Sequence, residues 1–259
     1  MDIRYKDVIC GYAKNASVLS EVNFSCRPGE ILCVLGKNGI GKTTLIRALF
    51  EKECLIDGTI FINGKSVRNM KVQELSQKVS YVPQARKNTF AYLVEDVILM
   101  GRAVHVGMFQ MPDSKDYELV SQTMDRLGIG ILKGKIFSNL SGGEQQLVMI
   151  ARAMVQETQY IVFDEPESNL DFKNQKVIMN IIKELAEEGK GIIVISHKPD
   201  FAIFWNATLM LIFEDRTSIY GPLSRLLVEE NLRKVYGVEM KIIDVENKMG
   251  KIDKFCKLG

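Results

Sequence analysis

Two periodicities of apolar residues divide this 259-residue chain into short strands and amphipathic helices. Runs of apolar and β-branched residues, bounded by glycine, proline and asparagine, predict strands. The predicted strands cover residues 18–26, 31–35, 59–62, 79–82, 160–163 and 192–195. Apolar spacing of i, i+3, i+4 and i+7 predicts helices. The predicted helices cover residues 43–50, 121–127, 142–156 and 173–188.

The order of these elements predicts an α/β fold that begins with antiparallel β structure. The strands at residues 160–163 and 192–195 are apolar without alternation, which is typical of central parallel strands covered on both faces. The C-terminal part is ambiguous. Residues 240–245 and 251–255 fit a β-hairpin, whereas the alternating charges between them fit a solvated tail equally well.

Composition sets broad limits on the partners and the cellular compartment of the chain. Thirty-four basic and 32 acidic residues are interspersed and form no basic stripe, so no nucleic-acid partner is expected. Five cysteines without a C-x-x-C pair indicate reduced thiols in the cytosol. The N-terminus lacks the apolar stretch of a signal peptide, and the longest apolar segment, residues 201–213, is too short to cross a bilayer.

The strongest chemical signal is one glycine-rich stretch. It reads Gly36-Lys37-Asn38-Gly39-Ile40-Gly41-Lys42-Thr43-Thr44. The stretch follows a predicted strand and opens a predicted helix, as the phosphate-binding pattern G-x-x-x-x-G-K-[ST] requires. Its glycines let backbone N–H groups converge on phosphate oxygens. Lys42 adds positive charge near the β and γ phosphates, and the Thr43 hydroxyl is a suitable Mg²⁺ ligand. The stretch therefore predicts binding of a nucleoside triphosphate.

Two adjacent carboxylates, Asp164 and Glu165, follow the predicted central strand at residues 160–163. The carboxyl end of such a strand is where open α/β sheets bind ligands. Because neighbouring strand side chains face opposite ways, Asp164 is expected to face Mg²⁺ and Glu165 to polarise an attacking water. By itself, an Asp-Glu pair at this place is also compatible with a helix cap or a solvated turn.

A third motif is Leu140-Ser141-Gly142-Gly143-Glu144. Ser141 and Glu144 fit a helix capping box. A cap does not need two glycines, each of which costs a helix about 1 kcal/mol relative to alanine. Gly142 and Gly143 instead leave bare N–H groups at a positive helix end, which forms a second anion site.

With these three motifs in order, the chain resembles the ATP-binding cassette (ABC) ATPases. The resemblance makes residues 36–44 the Walker A loop, Asp164-Glu165 the end of the Walker B strand, and residues 140–144 the signature. It also implies that Gln84 is a Mg²⁺ ligand in the Q-loop and that His197 senses the γ phosphate. Residues 168–171 match the D-loop, where Asn169 stands in place of the common alanine.

The resemblance further implies a role for Tyr12, which matches the aromatic residue that stacks on adenine. A tyrosine in an N-terminal β region is also often a core residue. The implied catalytic residues are Glu165, His197 and Lys42. The implied fold is a P-loop NTPase core of RecA type at residues 1–86 and 157–222, with an antiparallel β subdomain. An inserted helical subdomain spans residues 87–156, and an extension spans residues 223–259.

The family implies partners as well. Two copies would pack head to tail, so that Ser141 to Glu144 of one copy reach the ATP of the other. The insert opens with Phe90-Ala91-Tyr92 and resembles importer ATPases for iron chelates, haem, cobalamin and molybdate. The implied partners are thus a membrane permease, contacted through the Gln84 to His105 region, and indirectly an extracytoplasmic solute-binding protein. The implied location is the cytoplasmic face of the inner membrane, as a peripheral protein.

Two alternatives stay open from the sequence. One is a soluble ABC-type ATPase of DNA repair, translation or iron-sulfur assembly, although no long coiled coil or tandem cassette is present. The other is a nucleotide-binding switch with negligible turnover. Lys42, Asp164, Glu165 and His197 are all present, which disfavours the switch.

Overall fold

The structure is a computed structural model that describes residues 1–13, 16–84, 91–106, 111–168, 170–246 and 252–259. Asn169 of the expected D-loop therefore lies outside the described residues, as does Phe90 at the start of the insert. The chain divides into two compact units. The first joins Met1–Met70 with Leu185–Gly259, and the second is Lys71–Glu184.

Strands and helices alternate along most of the chain. The strands are β1 (Ile3–Ala13), β2 (Ala16–Cys26), β3 (Ile31–Leu35), β4 (Leu55–Ile62), β5 (Lys65–Ser66), β6 (Val79–Val82), β7 (Tyr160–Asp164), β8 (Gly191–Ser196), β9 (Thr208–Ile212), β10 (Ser218–Pro222), β11 (Met240–Glu246) and β12 (Ile252–Leu258). The helices are α1 (Lys42–Phe50), α2 (Val72–Ser76), α3 (Val94–Leu99), α4 (Ser114–Arg126), α5 (Gly142–Met154), α6 (Phe172–Glu187), α7 (Pro199–Trp205), α8 (Leu223–Leu226) and α9 (Glu229–Tyr236).

The first unit contains an antiparallel sheet in the order β2-β1-β4-β5. Tyr5 of β1 stacks on Phe24 of β2 with ring centroids 4.1 Å apart, inside the core of this sheet. The alternation of β1 is broken at Asp7, whose φ is +50°, where the register with β2 and β4 shifts. This irregularity explains why β1 gives only a weak period-two signal in the sequence.

The first unit also contains parallel strands in the order β9-β3-β8, with β10 antiparallel on the outer edge of β9. Every residue of β3 and β8 is buried. The prediction of buried parallel strands at residues 160–163 and 192–195 is confirmed, because β7 and β8 are buried throughout and each pairs in parallel with a neighbouring strand. Leu35, at the end of β3, pairs with Ser196 of β8 and with Leu211 of β9. The loops that follow these three strands consequently start at one edge of the sheet.

The second unit contains the parallel pair β6 and β7 together with helices α2 to α5 and most of α6. The predicted start of the helix at residue 121 is wrong, because α4 begins at Ser114. Asp113 caps α4 and forms a capping box with Asp116. The first two turns of α4 are mostly polar, so apolar spacing alone did not detect them.

Of the two alternatives for the C-terminal segment, a hairpin and a solvated tail, the structure shows the hairpin. Strands β11 and β12 pair in register from Met240 with Leu258 to Glu246 with Ile252. The mixed α/β fold expected from the sequence is confirmed. The limits of the helical subdomain, residues 87–156, and of the C-terminal extension, residues 223–259, stay predictions.

A nearly buried ion pair fixes α4 within the second unit. The Nε of Arg102 donates to Asp116 Oδ1 at 2.7 Å, and the two side chains are only 13% and 11% exposed. Arg102 Nη1 also donates to the Val155 carbonyl and to Glu157 Oε2, both at 2.7 Å. The hydrogen bond from Arg102 holds the pKa of Asp116 below its usual range.

We predict that Asp116→Asn lowers the free energy of unfolding by roughly 1–3 kcal/mol at neutral pH, because it leaves the Arg102 charge short of a partner. Since the pKa of Asp116 is lowered on folding, its carboxylate stabilises the fold at pH values above the ordinary carboxyl pKa. This stabilisation is lost as pH falls through the lowered value. The difference in free energy of unfolding between the unaltered protein and Asp116→Asn should therefore shrink below about pH 4. Urea unfolding at several pH values measures it.

Glu157→Gln is the matched control, because Glu157 pairs with the same guanidinium but is 55% exposed. It should change stability by at most about 1 kcal/mol. A cost for Asp116→Asn that stays constant from neutral to acid pH would contradict the assignment to the ion pair.

Candidate functional site

The glycine-rich stretch forms the turn between the buried strand β3 and helix α1. Gly41 is the residue before α1 and has φ +117°, a conformation that favours glycine. A Cβ atom at Gly41 would collide with Val18 Cγ1. Gly39 has φ +79°, and no described atom lies within 4 Å of the position its Cβ would take. Packing therefore requires glycine at position 41, whereas the space around Gly39 is open.

Lys42 directs its charge back across this turn. Its side chain is buried, and Nζ donates to the carbonyls of Gly36 and Lys37 at 2.8 and 2.9 Å. A buried ammonium is costly unless anions or dipoles compensate for its lost hydration. Together with the N-terminal N–H groups of α1, this cation makes the turn suitable for a polyphosphate.

The other predicted residues of the turn differ in exposure. Asn38 and Thr43 are exposed, whereas Lys37 and Ile40 are half-buried. The Ile40 N–H donates to the Lys37 carbonyl at 3.3 Å and tightens the turn. Thr43, in the first turn of α1, has the exposure that a metal-binding hydroxyl needs.

Tyr12 lies beside the start of α1. Its hydroxyl group and Thr44 Oγ1 are 3.0 Å apart, and the Arg47 guanidinium lies 5.8 Å from its ring centroid. Thr44 is buried, but Tyr12 is 65% exposed. The alternative that Tyr12 is a core residue is therefore wrong. Its ring is available for stacking at the same end of α1 as the glycine-rich turn.

His197 directly follows β8. Because Ser196 pairs with Leu35 in parallel register, His197 and Gly36 leave neighbouring strands at the same sheet edge. Lys198 N donates to Ser196 Oγ at 3.0 Å and shapes the turn after the strand. The first unit thus brings Tyr12, His197 and the glycine-rich turn to one region of its surface.

In the second unit, the paired carboxylates end β7. Asp164 is the last residue of the strand, and Glu165 leaves it with φ +46°. The direction of the Glu165 side chain therefore comes from a left-handed turn, and the argument from strand alternation does not apply to it. The Nε2 of Gln84 donates to Glu165 Oε2 at 3.3 Å, so the structure brings these two predicted residues together.

Sequence reasoning missed Tyr81, whose hydroxyl donates to Asp164 Oδ2 at 2.9 Å. Tyr81 lies on β6 and pairs with Val162 of β7, which brings its side chain near the end of β7. Only the pairing of these two strands, which the sequence does not give, could have identified it. Tyr81 holds the Asp164 carboxylate by one of its oxygens.

The signature motif forms the N-terminus of α5. Ser141 and Glu144 form the predicted capping box, and Glu144 Oε2 accepts from Ser141 N at 2.8 Å and from Ser141 Oγ at 2.7 Å. The bond from the hydroxyl lowers the pKa of Glu144. A Cβ at Gly143 would lie 2.5 Å from Asn174 Nδ2, so packing explains that glycine. No described atom lies within 4 Å of a Cβ at Gly142, so packing does not explain this one.

Comparison with known proteins identifies the family. The family model described as "ABC transporter" matches residues 19–168, which include the glycine-rich turn, Gln84, the signature and both carboxylates. The chain belongs to the ABC transporter family. Its members are ATPases coupled to transport, so the nucleotide expected at the glycine-rich turn is ATP. The soluble ABC-type ATPase alternative is not favoured.

Relatives cover nearly the whole cassette. An uncharacterised ABC transporter ATP-binding protein of Haemophilus influenzae is 33% identical over 94% of this chain and 92% of its own. A molybdate import ATP-binding protein of the same species is 34% identical over 88% of this chain and 85% of its own. The solved structure of a metal-chelate type ABC transporter in an inward-facing conformation aligns with TM-score 0.87 at 29% identity, covering 99% of this chain and 96% of that one.

Two neighbouring glutamines of the cassette differ in their hydrogen bonds. Gln145 is buried, and its Nε2 donates to the carbonyls of Phe137 and Leu140 at 3.3 and 3.2 Å. Gln146 is 1% exposed, and neither end of its amide has a hydrogen-bond partner within the described parts of the chain. Gln145 therefore fastens the segment that leads into the signature, whereas Gln146 leaves a buried amide uncompensated.

We predict that the same substitution destabilises the fold at Gln145 but not at Gln146. Gln145→Met should lower the free energy of unfolding by about 1–3 kcal/mol, because the Phe137 and Leu140 carbonyls each lose a hydrogen bond, although the Phe137 carbonyl keeps the one from the Leu140 N–H at 3.2 Å. Gln146→Met, with a similar volume, should leave stability equal or raise it by about 1 kcal/mol. Each variant serves as the control for the other in urea unfolding. A loss of stability in Gln146→Met as large as that in Gln145→Met would contradict this interpretation.

Proposed function

We propose that the cassette is the ATP-hydrolysing subunit of an importer that takes up a metal chelate or a metal oxyanion through a membrane permease. The observation that carries the proposal is the buried Lys42 ammonium folded over the glycine-rich turn, in a chain of this family. Similarity to a molybdate importer subunit and to a metal-chelate transporter supports the cargo class. Iron-siderophore, haem, cobalamin and molybdate are the candidate cargoes.

ATP is proposed to bind with its phosphates at the turn from Gly36 to Thr44 and its adenine on the Tyr12 ring. Lys42 would exchange its carbonyl partners for phosphate oxygens, which is favourable because a buried ammonium binds an anion more strongly than a neutral carbonyl. The exposed ring of Tyr12 offers one face for stacking, and Thr44 holds its hydroxyl group.

Mg²⁺ is proposed to accompany ATP, held by the Thr43 hydroxyl, the Asp164 carboxylate and the Gln84 amide oxygen. These are the oxygen donors that the ion prefers, and its charge would offset that of the phosphates. The bond from Tyr81 already uses one Asp164 oxygen and fixes the rotation of the carboxylate. The Gln84 amide nitrogen is used by Glu165, so its oxygen is the atom left to face a metal.

Hydrolysis is proposed to use Glu165 as the group that orients and polarises the attacking water. Gln84 holds one Glu165 oxygen, which orients the carboxylate before any substrate binds. Lys42 and His197 would stabilise the negative charge that builds up on the γ phosphate. Each of these residues acts by position and charge, and none needs a covalent intermediate.

A second copy of the chain is proposed to complete each site in a head-to-tail dimer. Ser141, Gly142, Gly143 and Glu144 at the N-terminus of α5 would then contact the γ phosphate bound by the other copy. The space at Gly142 and the positive end of α5 support this role. To take part, the Ser141 hydroxyl would exchange its bond to Glu144 for one to the phosphate.

The permease is proposed to contact an exposed apolar patch formed by Tyr92, Leu93 and Ile136. Their exposed fractions are 48%, 38% and 37%. Leu93 and Ile136 form an antiparallel bridge, so the three side chains belong to neighbouring backbones. Exposed apolar side chains that lie together in this way suit contact with a partner protein. Tyr92 and Leu93 lie inside the expected permease-facing region, Gln84 to His105, and Ile136 lies beside it. Residues 85–90 of that region lie outside the described residues.

The proposed location is the cytoplasmic face of the inner membrane, where the cassette is held by its permease. Within the described ranges, no helix is both long and apolar enough to cross a bilayer. A solute-binding protein on the other side would meet the permease and not this chain. No nucleic-acid partner is proposed.

The deciding experiment is affinity purification of the tagged chain in detergent from native membranes, followed by ATPase assays in proteoliposomes with and without the recovered partners. Recovery of a polytopic membrane protein that changes ATP turnover supports the importer. Recovery of soluble partners alone would overturn it.

We predict that Glu165→Gln lowers the ATPase kcat by about 100-fold or more, because the amide does not polarise water as a carboxylate does. The dissociation constant of MgATP should change little. Glu184→Gln is the control, since it removes an exposed carboxylate that pairs loosely with Arg126 at 3.9 Å. Hydrolysis by Glu165→Gln at the parental rate would remove Glu165 from this role.

We predict that Leu93→Glu lowers permease-stimulated ATPase activity by about tenfold or more, since it buries a charge in an apolar interface. ATP binding by the isolated chain should be unchanged. The control is Tyr117→Ser, which alters an exposed apolar residue of α4 outside the patch. Equal loss of stimulation in both variants would argue against the patch as the docking surface.

A further inference from the structure

Lys37 of the glycine-rich turn forms an ion pair with Glu214. Glu214 lies two residues beyond β9, which pairs in parallel with β3 so that Leu211 is opposite Leu35. The segments after β3 and β9 therefore leave one sheet edge side by side. A Cβ at Gly36 would lie 3.4 Å from Ile212 Cβ, which shows how closely the two segments pack.

The end of helix α9 lies against this ion pair. Gly237 ends α9 in a left-handed conformation with φ +69°. A Cβ there would lie 2.7 Å from Lys37 Nζ and 2.8 Å from Glu214 Oε1. The Glu214 N–H also donates to the Lys234 carbonyl at 3.3 Å. Leu232 and Val235 are fully buried, so α9 is firmly packed where it meets Glu214.

The backbone of Lys37 supports the phosphate-binding cation. Its carbonyl accepts from Lys42 Nζ at 2.9 Å and from the Ile40 N–H at 3.3 Å. Glu214 thus holds the side chain of Lys37, and the carbonyl of the same residue closes the turn and holds Lys42. A change in the position of Lys37 moves both contacts.

We propose that Glu214 is a positioning residue of the ATP site, which fixes the glycine-rich turn through Lys37 and is itself held by the C-terminal helix α9. The proposal rests on the proposed binding of ATP at this turn. It assigns to the segment after residue 223 a role in nucleotide affinity. Glu214 does not touch the nucleotide in this role; it acts by limiting the conformations of Lys37 before the phosphates arrive.

The expected effect is modest, because both side chains of the ion pair are partly exposed, at 41% for Lys37 and 51% for Glu214. Exposed pairs contribute up to about 1 kcal/mol, which corresponds to about fivefold in a binding constant. Glu214→Gln should therefore raise the dissociation constant of MgADP and the KM for ATP by about two- to fivefold. The kcat and the thermal unfolding temperature should be unchanged.

Isothermal titration of the full chain with MgADP tests the proposal in a double-mutant cycle of Glu214→Gln, Lys37→Met and the combined variant. If Glu214 acts through Lys37, Glu214→Gln should have no effect in the Lys37→Met background. Glu230→Gln is the matched control, since it breaks an exposed ion pair with Lys234 on the same helix, at 2.7 Å. It should leave MgADP binding unchanged.

Three results would overturn the proposal. The first is unchanged or tighter MgADP binding by Glu214→Gln. The second is an equal loss of MgADP affinity on Glu214→Gln in the unaltered and Lys37→Met backgrounds. The third is a loss of MgADP affinity in Glu230→Gln as large as that in Glu214→Gln. Tighter binding would mean that Glu214 neutralises a charge the phosphates could use. Failure of the unaltered chain to bind MgADP would instead overturn the ATP site itself, so the two failures are distinguishable.

Discussion

The buried ammonium of Lys42 is the charge on which the rest of the nucleotide-binding unit depends. It is held over the glycine-rich turn by the carbonyls of Gly36 and Lys37. This geometry needs a short strand that stops at a sheet edge, a turn that tolerates left-handed backbone, and a helix that starts at once. β3, Gly41 and α1 meet those needs. The packing of β3 between β8 and β9 fixes where the charge lies.

Much of this arrangement could be predicted because local chemistry dictates it. The apolar runs of β3 and β8 have few alternatives to burial, and the glycine spacing of the turn is tied to its backbone conformation. The capping box of α5 is likewise a local signal, with Ser141 and Glu144 three residues apart. Elements of this kind need no knowledge of distant parts of the chain.

What the sequence did not reveal depends on which distant segments become neighbours. Tyr81 reaches Asp164 only because β6 pairs with β7, and Glu214 reaches Lys37 only because β9 pairs with β3. Such contacts join residues separated by 83 or 177 positions, and no local pattern marks them. The register break at Asp7 hid β1 for the related reason that bulges are fixed by the partner strand.

The left-handed backbone of Glu165 places stability and the proposed catalytic role in opposition at one residue. A non-glycine residue at φ +46° costs the fold roughly 1 kcal/mol or more, which glycine would not. Selection for a more heat-resistant cassette would therefore favour loss of the very side chain proposed to orient water. In the proposed role of Glu165, activity rather than folding determines the residue at this strained position.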